Sequence, residues 1–314
     1  MKLFLNFTLR LILLSAIMLG STTNLCADDN YTVINDHAIL CNGIIYGLDY
    51  DGFNENAVAN YAWVSGIPSD DREQCKAFSI NSSVSYTIEW KERGPNGEII
   101  KRQNTLHFKV TEISNEAFKA SKLTSISIPN TITSIGGGAF ENCENLQHVQ
   151  LPSALEELGT DAFKGCTSLT KALLSNSMTE VPAGAFQGCK SLIDISIPSS
   201  VKVIGTSAFQ GCSKLSDLNL GTVEEIGASA FSNCSNLNPI ILPASVKFIG
   251  VYAFFGCCPI NIVMESGEPP HAQGAFGEEC YTKSQLIVPF GTIDIYKKSN
   301  LGWSHFEHIV HSSL

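Results

Sequence analysis

Apolar residues recur along this chain with a period of 22 or 23 residues from about residue 111 onward. The clearest marker of the period is the dipeptide Ala-Phe, whose phenylalanines are Phe118, Phe140, Phe163, Phe186, Phe209, Phe231, Phe254 and Phe276. A short, constant period sustained over many copies is typical of a solenoid, in which each repeat forms one turn and stacks on its neighbours. The pattern therefore predicts a stack of similar turns.

Each repeat also contains a short stretch in which apolar and variable positions alternate. In the repeat of residues 192–214, Leu192 opens the unit, Ile195 and Ile197 follow as apolar positions two residues apart, and Pro198 comes directly after them. Alternation with a period of two predicts a half-buried strand. Proline ends such a strand because it has no N–H to donate to a neighbour. The sequence thus predicts a curved stack of parallel β-strands, paired from turn to turn and joined by short helical turns.

The periodic region is flanked by segments that lack the repeat. Residues 28–110 are predicted to form a β-rich N-terminal cap, in which residues 78–84 are a degenerate first strand and a hairpin turning at residues 94–97 is an insertion. The array is predicted over residues 111–258. Residues 259–314 are predicted to form a C-terminal cap with Trp303, Phe306 and Ile309 as apolar anchors. The caps are needed because a terminal turn would otherwise expose its core.

The first 27 residues have the composition of an export signal. Lys2 and Arg10 flank an apolar run that leads to a segment of small and polar residues, which predicts a secretory signal peptide removed before Asp28. A membrane anchor and lipidation at Cys26 are the alternatives, and lipidation would attach the protein to a membrane only through that lipid. The sequence therefore predicts a secreted or cell-surface protein.

Charge and cysteine content narrow the function further. The formal net charge of −10 at pH 7 argues against nucleic acid as a partner. Six cysteines each follow a repeat phenylalanine by three residues, and because they occupy equivalent positions they are predicted to be buried thiols rather than disulfides or metal ligands. These are Cys143, Cys166, Cys189, Cys212, Cys234 and Cys257. Bridges between Cys41 and Cys75, and between Cys258 and Cys280, stay open as alternatives.

The repeat unit L-x-x-I-x-I-P-x-x-V-x-x-I-G-x-x-A-F-x-x-C-x-x resembles the BspA-like leucine-rich repeats of surface proteins from gut and oral bacteria and some mucosal protozoa. Residues 192–214 match each fixed position, and the tail QLIVPFGTIDIYKK with Trp303 is similar to the usual C-terminus of that family. The resemblance, which covers about residues 111–314, implies a leucine-rich repeat solenoid outside the cell. It further implies adhesion to host matrix proteins or other bacteria, with no enzymatic activity and no cofactor.

Comparison of the repeats with one another locates a candidate binding face. Core positions hardly change, whereas outward strand positions vary and are free to recognise a partner. The predicted partner-binding residues are Ser125, Ser127, His148, Gln150, Lys171, Asp194, Ser196, Asp217 and Asn219. The predicted partner is an extracellular protein or glycan of a host or of neighbouring bacteria.

The sequence is compatible with three other kinds of site. Asp194 and Asp217 occupy equivalent strand positions and could together attract a cation. The closely spaced His305, His308 and His311 could share a helical face and bind a metal. The alternative to a binding protein is an enzyme or glycan-processing protein with an aromatic site in the N-terminal cap, lined by Trp63 and Trp90. No catalytic, cofactor-binding or metal-binding residue is predicted.

Overall fold

The computed structural model describes residues 31–35, 38–41, 44–51, 58–67, 77–93, 95–96, 98–257 and 259–312. The predicted signal peptide, the lipidation site Cys26, and two cysteines of the open disulfide alternatives, Cys75 and Cys258, lie outside these residues.

The N-terminal region is a sheet of mostly antiparallel strands followed by a long hairpin. The strands are β1 (Tyr31–Asn35), β2 (Ala38–Cys41), β3 (Ile44–Asp51), β4 (Val58–Gly66), β5 (Ala77–Ser79), β6 (Ser83–Arg93) and β7 (Ile99–Ile113). Strands β1 to β4 pair antiparallel in chain order. Arg93 pairs with Ile99 at the end of the hairpin and residues 95–96 turn between them, so the predicted hairpin is confirmed.

Each turn of the array contributes two short strands that alternate between two parallel columns. In chain order they are β8 (Ser125–Ser127), β9 (Ser134–Ile135), β10 (His148–Gln150), β11 (Glu157–Leu158), β12 (Lys171–Leu173), β13 (Glu180–Val181), β14 (Asp194–Ser196), β15 (Val203–Ile204), β16 (Asp217–Asn219), β17 (Glu225–Ile226), β18 (Ile240–Leu242) and β19 (Phe248–Ile249). The even-numbered strands form the first column, where the predicted parallel pairing is confirmed. The odd-numbered strands form a second column that the sequence did not predict.

The N-terminal region joins both columns. Strand β5 pairs in parallel with β8, so that Phe78 lies opposite Ile126. The end of β7 pairs with β9, with Ile113 opposite Ile135. These pairings confirm that residues 78–84 begin with a first-column strand and that the β6–β7 hairpin is an insertion into a turn.

The first column continues through the C-terminal region. Its elements are β20 (Asn261–Met264), α1 (Glu278–Lys283), β21 (Gln285–Val288), α2 (Ile293–Lys297) and β22 (His308–His311). Strands β18, β20, β21 and β22 pair in that order, all in parallel. The two helices lie in this region, whereas the chain from residue 98 to 257 turns without an α-helix.

A single column of phenylalanine rings runs through the core. Successive rings from Phe118 to Phe276 are stacked, with centroids between 5.0 and 5.5 Å apart and planes within 12° of parallel. At its C-terminal end Phe276 meets Trp303 at 5.6 Å and Phe306 at 5.4 Å. Both residues are buried, as is Ile309, which confirms the predicted anchors of the C-terminal cap.

The six repeat cysteines form a second core column of thiols. Each sulfur donates to the carbonyl oxygen of the phenylalanine that precedes it by 25 or 26 residues, as Cys166 does to Phe140 at 3.2 Å. Burial raises the pKa of the Cys166 and Cys189 thiols. The prediction of buried thiols is confirmed. Cys280 extends the column by donating to the carbonyl of Cys257 at 2.7 Å.

Two positions in each turn of the array adopt the left-handed backbone conformation. One lies two residues before the repeat phenylalanine, and it is occupied by Glu116, Gly138, Asp161, Gly184, Ser207, Ser229, Tyr252 and Gly274. The other lies two residues after it and is mostly glycine or asparagine. A bulky side chain is an outlier in this conformation. Tyr252 is such an outlier, with φ of 60° and a relative exposure of 56%.

Loss of one core ring should weaken the stack strongly. We expect Phe209→Ala to lower the free energy of unfolding by about 3–5 kcal/mol, because it opens a cavity in a column shared with both neighbouring turns. Urea titration followed by circular dichroism measures the change, with the exposed Lys202→Ala as control. Equal effects of the two substitutions would contradict the assigned register.

Relief of backbone strain at Tyr252 should stabilise the protein. We expect Tyr252→Gly to raise the free energy of unfolding by about 0.5–1 kcal/mol, since glycine adopts a φ near +60° without a steric penalty. Ala228→Gly is the matched control: it lies in the preceding turn, outside the left-handed positions, and should destabilise. A loss of stability in both variants would show that the Tyr252 side chain contributes more through its contacts than its backbone costs.

Candidate binding face

All nine predicted partner-binding residues are exposed on the first column of strands. Seven of them lie in the sheet β10-β12-β14-β16 and form two parallel rows. The first row is His148, Lys171, Asp194 and Asp217, and the second contains Gln150, Ser196 and Asn219 with Leu173 among them. Ser125 and Ser127 lie on β8, which pairs with β5 instead. The structure therefore places the predicted residues on one side of the solenoid.

Four successive turns present their face residues in the same way, because strands β10, β12, β14 and β16 each bury only their central side chain. In β14, Ile195 is buried while Asp194 and Ser196 are exposed, and the same pattern holds in β10, β12 and β16. The buried residue fixes the strand against the core. Its two neighbours are thereby held at fixed positions but can change without affecting the core.

Charge is distributed unevenly along the first row. Lys171 lies directly opposite Asp194, and Asp194 lies directly opposite Asp217. The described residues contain no group of three or more potential metal ligands. Along the first row, Asp194 and Asp217 form an anionic end, and Lys171 and His148 form the other end.

The second row becomes apolar toward the C-terminus. After Asn219 its outward positions are Ile241, Val263, Ile287 and Val310, which are aligned in the register of β18, β20, β21 and β22. A shallow groove of about 650 Å³ lies along this end and is lined by Val263, Gln285, Ile287, Phe290, Val310, His311 and Ser312. The predicted partner-binding residues end at Asn219, before this part of the face. The signal that could have found it is the aliphatic outward residue shared by NIVM, QLIV and HIVH.

The second column of strands carries the carboxylates of Glu112 and Glu157, away from the first-column face. Glu112 and Glu157 both pair with Ser134, and burial, with a smaller contribution from Glu157, raises the pKa of the Glu112 carboxyl. Glu157 and Glu225 begin the two-residue strands β11 and β17. A two-residue strand leaves no alternation from which it could be predicted.

Among the described aromatic residues of the N-terminal region, Tyr46 and Phe108 are buried in the core, and Trp63 packs on the backbone of the neighbouring strand β3. The indole of Trp63 lies directly over Gly47, at whose position an added Cβ would come within 2.1 Å of a ring carbon. Tyr46 is buried, and its hydroxyl oxygen accepts the N–H of Asn81 at 3.0 Å. The side chain of Trp90 lies outside the described residues. This arrangement gives the alternative of an aromatic catalytic pocket no support from the described residues.

The tail histidines occupy a strand rather than a helix. His308 and His311 are the two ends of β22, so the predicted alternative of a shared helical face is wrong. His305 lies before that strand, next to the ring of Tyr281 at 5.4 Å. Among the described residues, no helix has the length and hydropathy needed to cross a membrane.

The repeat pattern and the stacked turns agree with a known repeat family. A model of the BspA type leucine rich repeat region matches residues 111–238 and 220–299, in six copies. The matched region covers more than half of the chain. The chain belongs to the BspA-type leucine-rich repeat family. A comparison with curated proteins finds no match.

Solved structures support the same fold for this BspA-type protein. A leucine-rich repeat protein of T. pallidum is 26% identical, with a TM-score of 0.51 over 67% of this chain and 86% of that one. A leucine-rich repeat protein from Bacteroides ovatus is 22% identical, with a TM-score of 0.50 over 84% of this chain and 66% of that one. A third, from Eubacterium ventriosum, is 22% identical, with a TM-score of 0.51, and this chain spans half of its length.

The raised pKa of Glu112 makes stability depend on pH. A carboxyl whose pKa is higher in the folded than in the unfolded state binds more protons when folded, so its contribution to stability falls as the pH rises above the ordinary glutamate value of about 4.3. We therefore expect Glu112→Gln to be more stable than the native protein at pH 7, with the difference shrinking as the pH falls toward 4. Urea titrations at several pH values measure this difference.

The exposed Glu180→Gln, in the same column, is the control and should show a smaller dependence on pH. Removal of the neighbouring charge in Glu157→Gln should reproduce part of the effect. Identical pH profiles for all three variants would contradict the proposed cause.

Proposed function

We propose that this protein is a secreted or cell-surface binding protein that captures an extracellular protein or glycan of a host or of neighbouring bacteria through the first-column strand face. The observation that carries the proposal is the separation of variable from constant positions within each strand. The buried centre of the strand is aliphatic or alanine in β10, β12, β14 and β16, whereas the exposed neighbours range from histidine and lysine to aspartate, serine and asparagine.

A face of this kind is suited to binding a macromolecule. Successive strands are paired in register, so their side chains are presented at a spacing of about 4.8 Å between turns. The backbone that holds them is hydrogen-bonded to both neighbouring turns and loses little freedom on binding, which lowers the entropic cost of association. Extended solenoid faces serve as binding surfaces for this reason.

A binding role also agrees with the organisation of the N-terminal region. Strands β4, β7 and β9 pair in parallel, so this region is packed on the first turns of the array. Tyr46 and Phe108 of this region belong to the core that it shares with the array. The composition of residues 1–27 and the family resemblance support export. We therefore propose that the protein acts outside the cell.

Charge reversal on the face should separate binding from stability. We expect the double variant Asp194→Lys with Asp217→Lys to change the affinity and salt dependence of partner binding, because it replaces an anionic end of the row by a cationic one. The melting temperature should hardly move, since both side chains are exposed. Surface plasmon resonance with residues 28–314 on a panel of purified matrix proteins and on a glycan array measures the affinity.

The matched control is Glu156→Lys with Glu157→Lys. It also reverses two charges, but these charges do not lie on the first-column face. Retained affinity in the aspartate variant together with lost affinity in this control would move the binding site to the other side of the solenoid. A failure of every matrix protein and glycan to bind the native protein would argue against the proposed function itself.

A further inference from the structure

The C-terminal cap covers the core of the last turn but leaves one edge of its sheet open. Trp303 and Phe306 close the phenylalanine column. Strand β22, however, is the last strand in the order β18-β20-β21-β22, and no other strand in the described part of the chain pairs with its outer side.

The hydrogen bonds of β22 show which of its backbone groups face this open edge. The N–H of Ser312 donates to the carbonyl of Val288 on β21 at 2.8 Å. Because backbone groups alternate in direction along a strand, those of His308 and Val310 also face β21. The N–H and C=O groups of Ile309 and His311 therefore face outward. They form a short row of donors and acceptors of the kind that another strand can pair with.

Edge strands of natural proteins usually carry features that prevent such pairing, including lysine, proline or a bulge. The sequence of β22 is His-Ile-Val-His, and it pairs with β21 in a continuous register over all four residues. Its two central residues are β-branched and have high strand propensity. The edge thus lacks these protections.

The side chains beside this edge define what the next strand would present. Val310 is the last member of the apolar row that begins at Ile241, and it lines the groove described above. Phe290, with a relative exposure of 70%, extends over the same groove and contacts the ring of His311 at 5.0 Å. No carboxylate is among the residues that line this groove, whereas Glu307 and Lys283 lie beside His308 at the other end of the strand. A strand added to β22 would therefore place an uncharged aliphatic side chain next to Val310.

We propose that β22 accepts an extended, aliphatic and uncharged segment of a partner protein as an additional strand. This inference rests on the proposed binding role and names the chemistry of the partner. Main-chain groups of a peptide repeat about every 3.3 Å and alternate in direction, as the outward groups of Ile309 and His311 require. The open edge therefore favours a polypeptide over a glycan, and strand addition is an established mode of peptide recognition.

A synthetic peptide of alternating valine and threonine, acetylated and amidated at its ends, tests the proposal without knowledge of the natural partner. Its binding to residues 28–314 is measured by NMR titration up to millimolar concentration. The decisive variant is His311→Pro, which removes one outward N–H and leaves the hydrogen bonds toward β21 in place. His311→Ala is the matched control, because it removes the imidazole and keeps the N–H.

We expect His311→Pro to weaken peptide binding about tenfold, as the loss of one intermolecular hydrogen bond predicts, and His311→Ala to change it less than about threefold. The same peptide methylated at alternate amide nitrogens should lose binding to the native protein to a similar degree. This second measurement is independent of whether His311→Pro folds normally.

Three results would overturn the proposal: no binding of the unmodified peptide, equal binding of the methylated peptide, or equal binding by His311→Pro. A native dimer in sedimentation velocity that His311→Pro dissociates would assign the edge to a second copy of this chain instead. The proposed function is tested separately by the aspartate variant. The two experiments can give different answers. If His311→Pro loses peptide binding and the aspartate variant captures its partner normally, the β22 edge remains a binding site and the polar part of the face does not.

Discussion

The hydrogen bonds between equivalent residues of successive turns are the interaction on which the rest of this structure depends. The N–H of Phe163 donates to the carbonyl of Ala185, and the N–H of Phe186 donates to that of Ala208, both at 2.8 Å. These bonds hold equivalent residues directly above one another. Each core position therefore packs against copies of itself, and phenylalanine, leucine and cysteine recur because residues of one size fill a column without cavities.

This constraint explains which features could be predicted from the sequence. The segment around the first strand of each turn has constant apolar positions, such as Leu192, Ile195 and Ile197, and the pairing of these strands could be predicted from their period. The second strand has only two residues, as in Val203–Ile204, and is held by turn-to-turn bonds that leave no local pattern. The left-handed positions could not be predicted either. In some turns they are occupied by residues such as Asp161 and Ser207, and in others by glycine.

The candidate face could be predicted in part. Its polar half was found because variation at positions such as Asp194 and Ser196 stands out against a constant core. Its apolar half was missed because Val263, Ile287 and Val310 lie where the repeat pattern has already dissolved, and an aliphatic residue there looks the same in sequence whether it is buried or exposed. Only the register of β20, β21 and β22 shows that these residues continue the outward row.

The two ends of the solenoid show that capping consists of two separate tasks. One is to cover the apolar end of the core, and the other is to satisfy the backbone groups of the terminal strand. At the N-terminal end β5 extends the first column by pairing with β8, and no second strand pairs with β5 among the described residues. At the C-terminal end Trp303 and Phe306 complete the first task, but β22 has no second neighbour within the described residues. Since the core is already closed there, occupation of that edge can change without unfolding the last turn, which is the property that a reversible binding site requires.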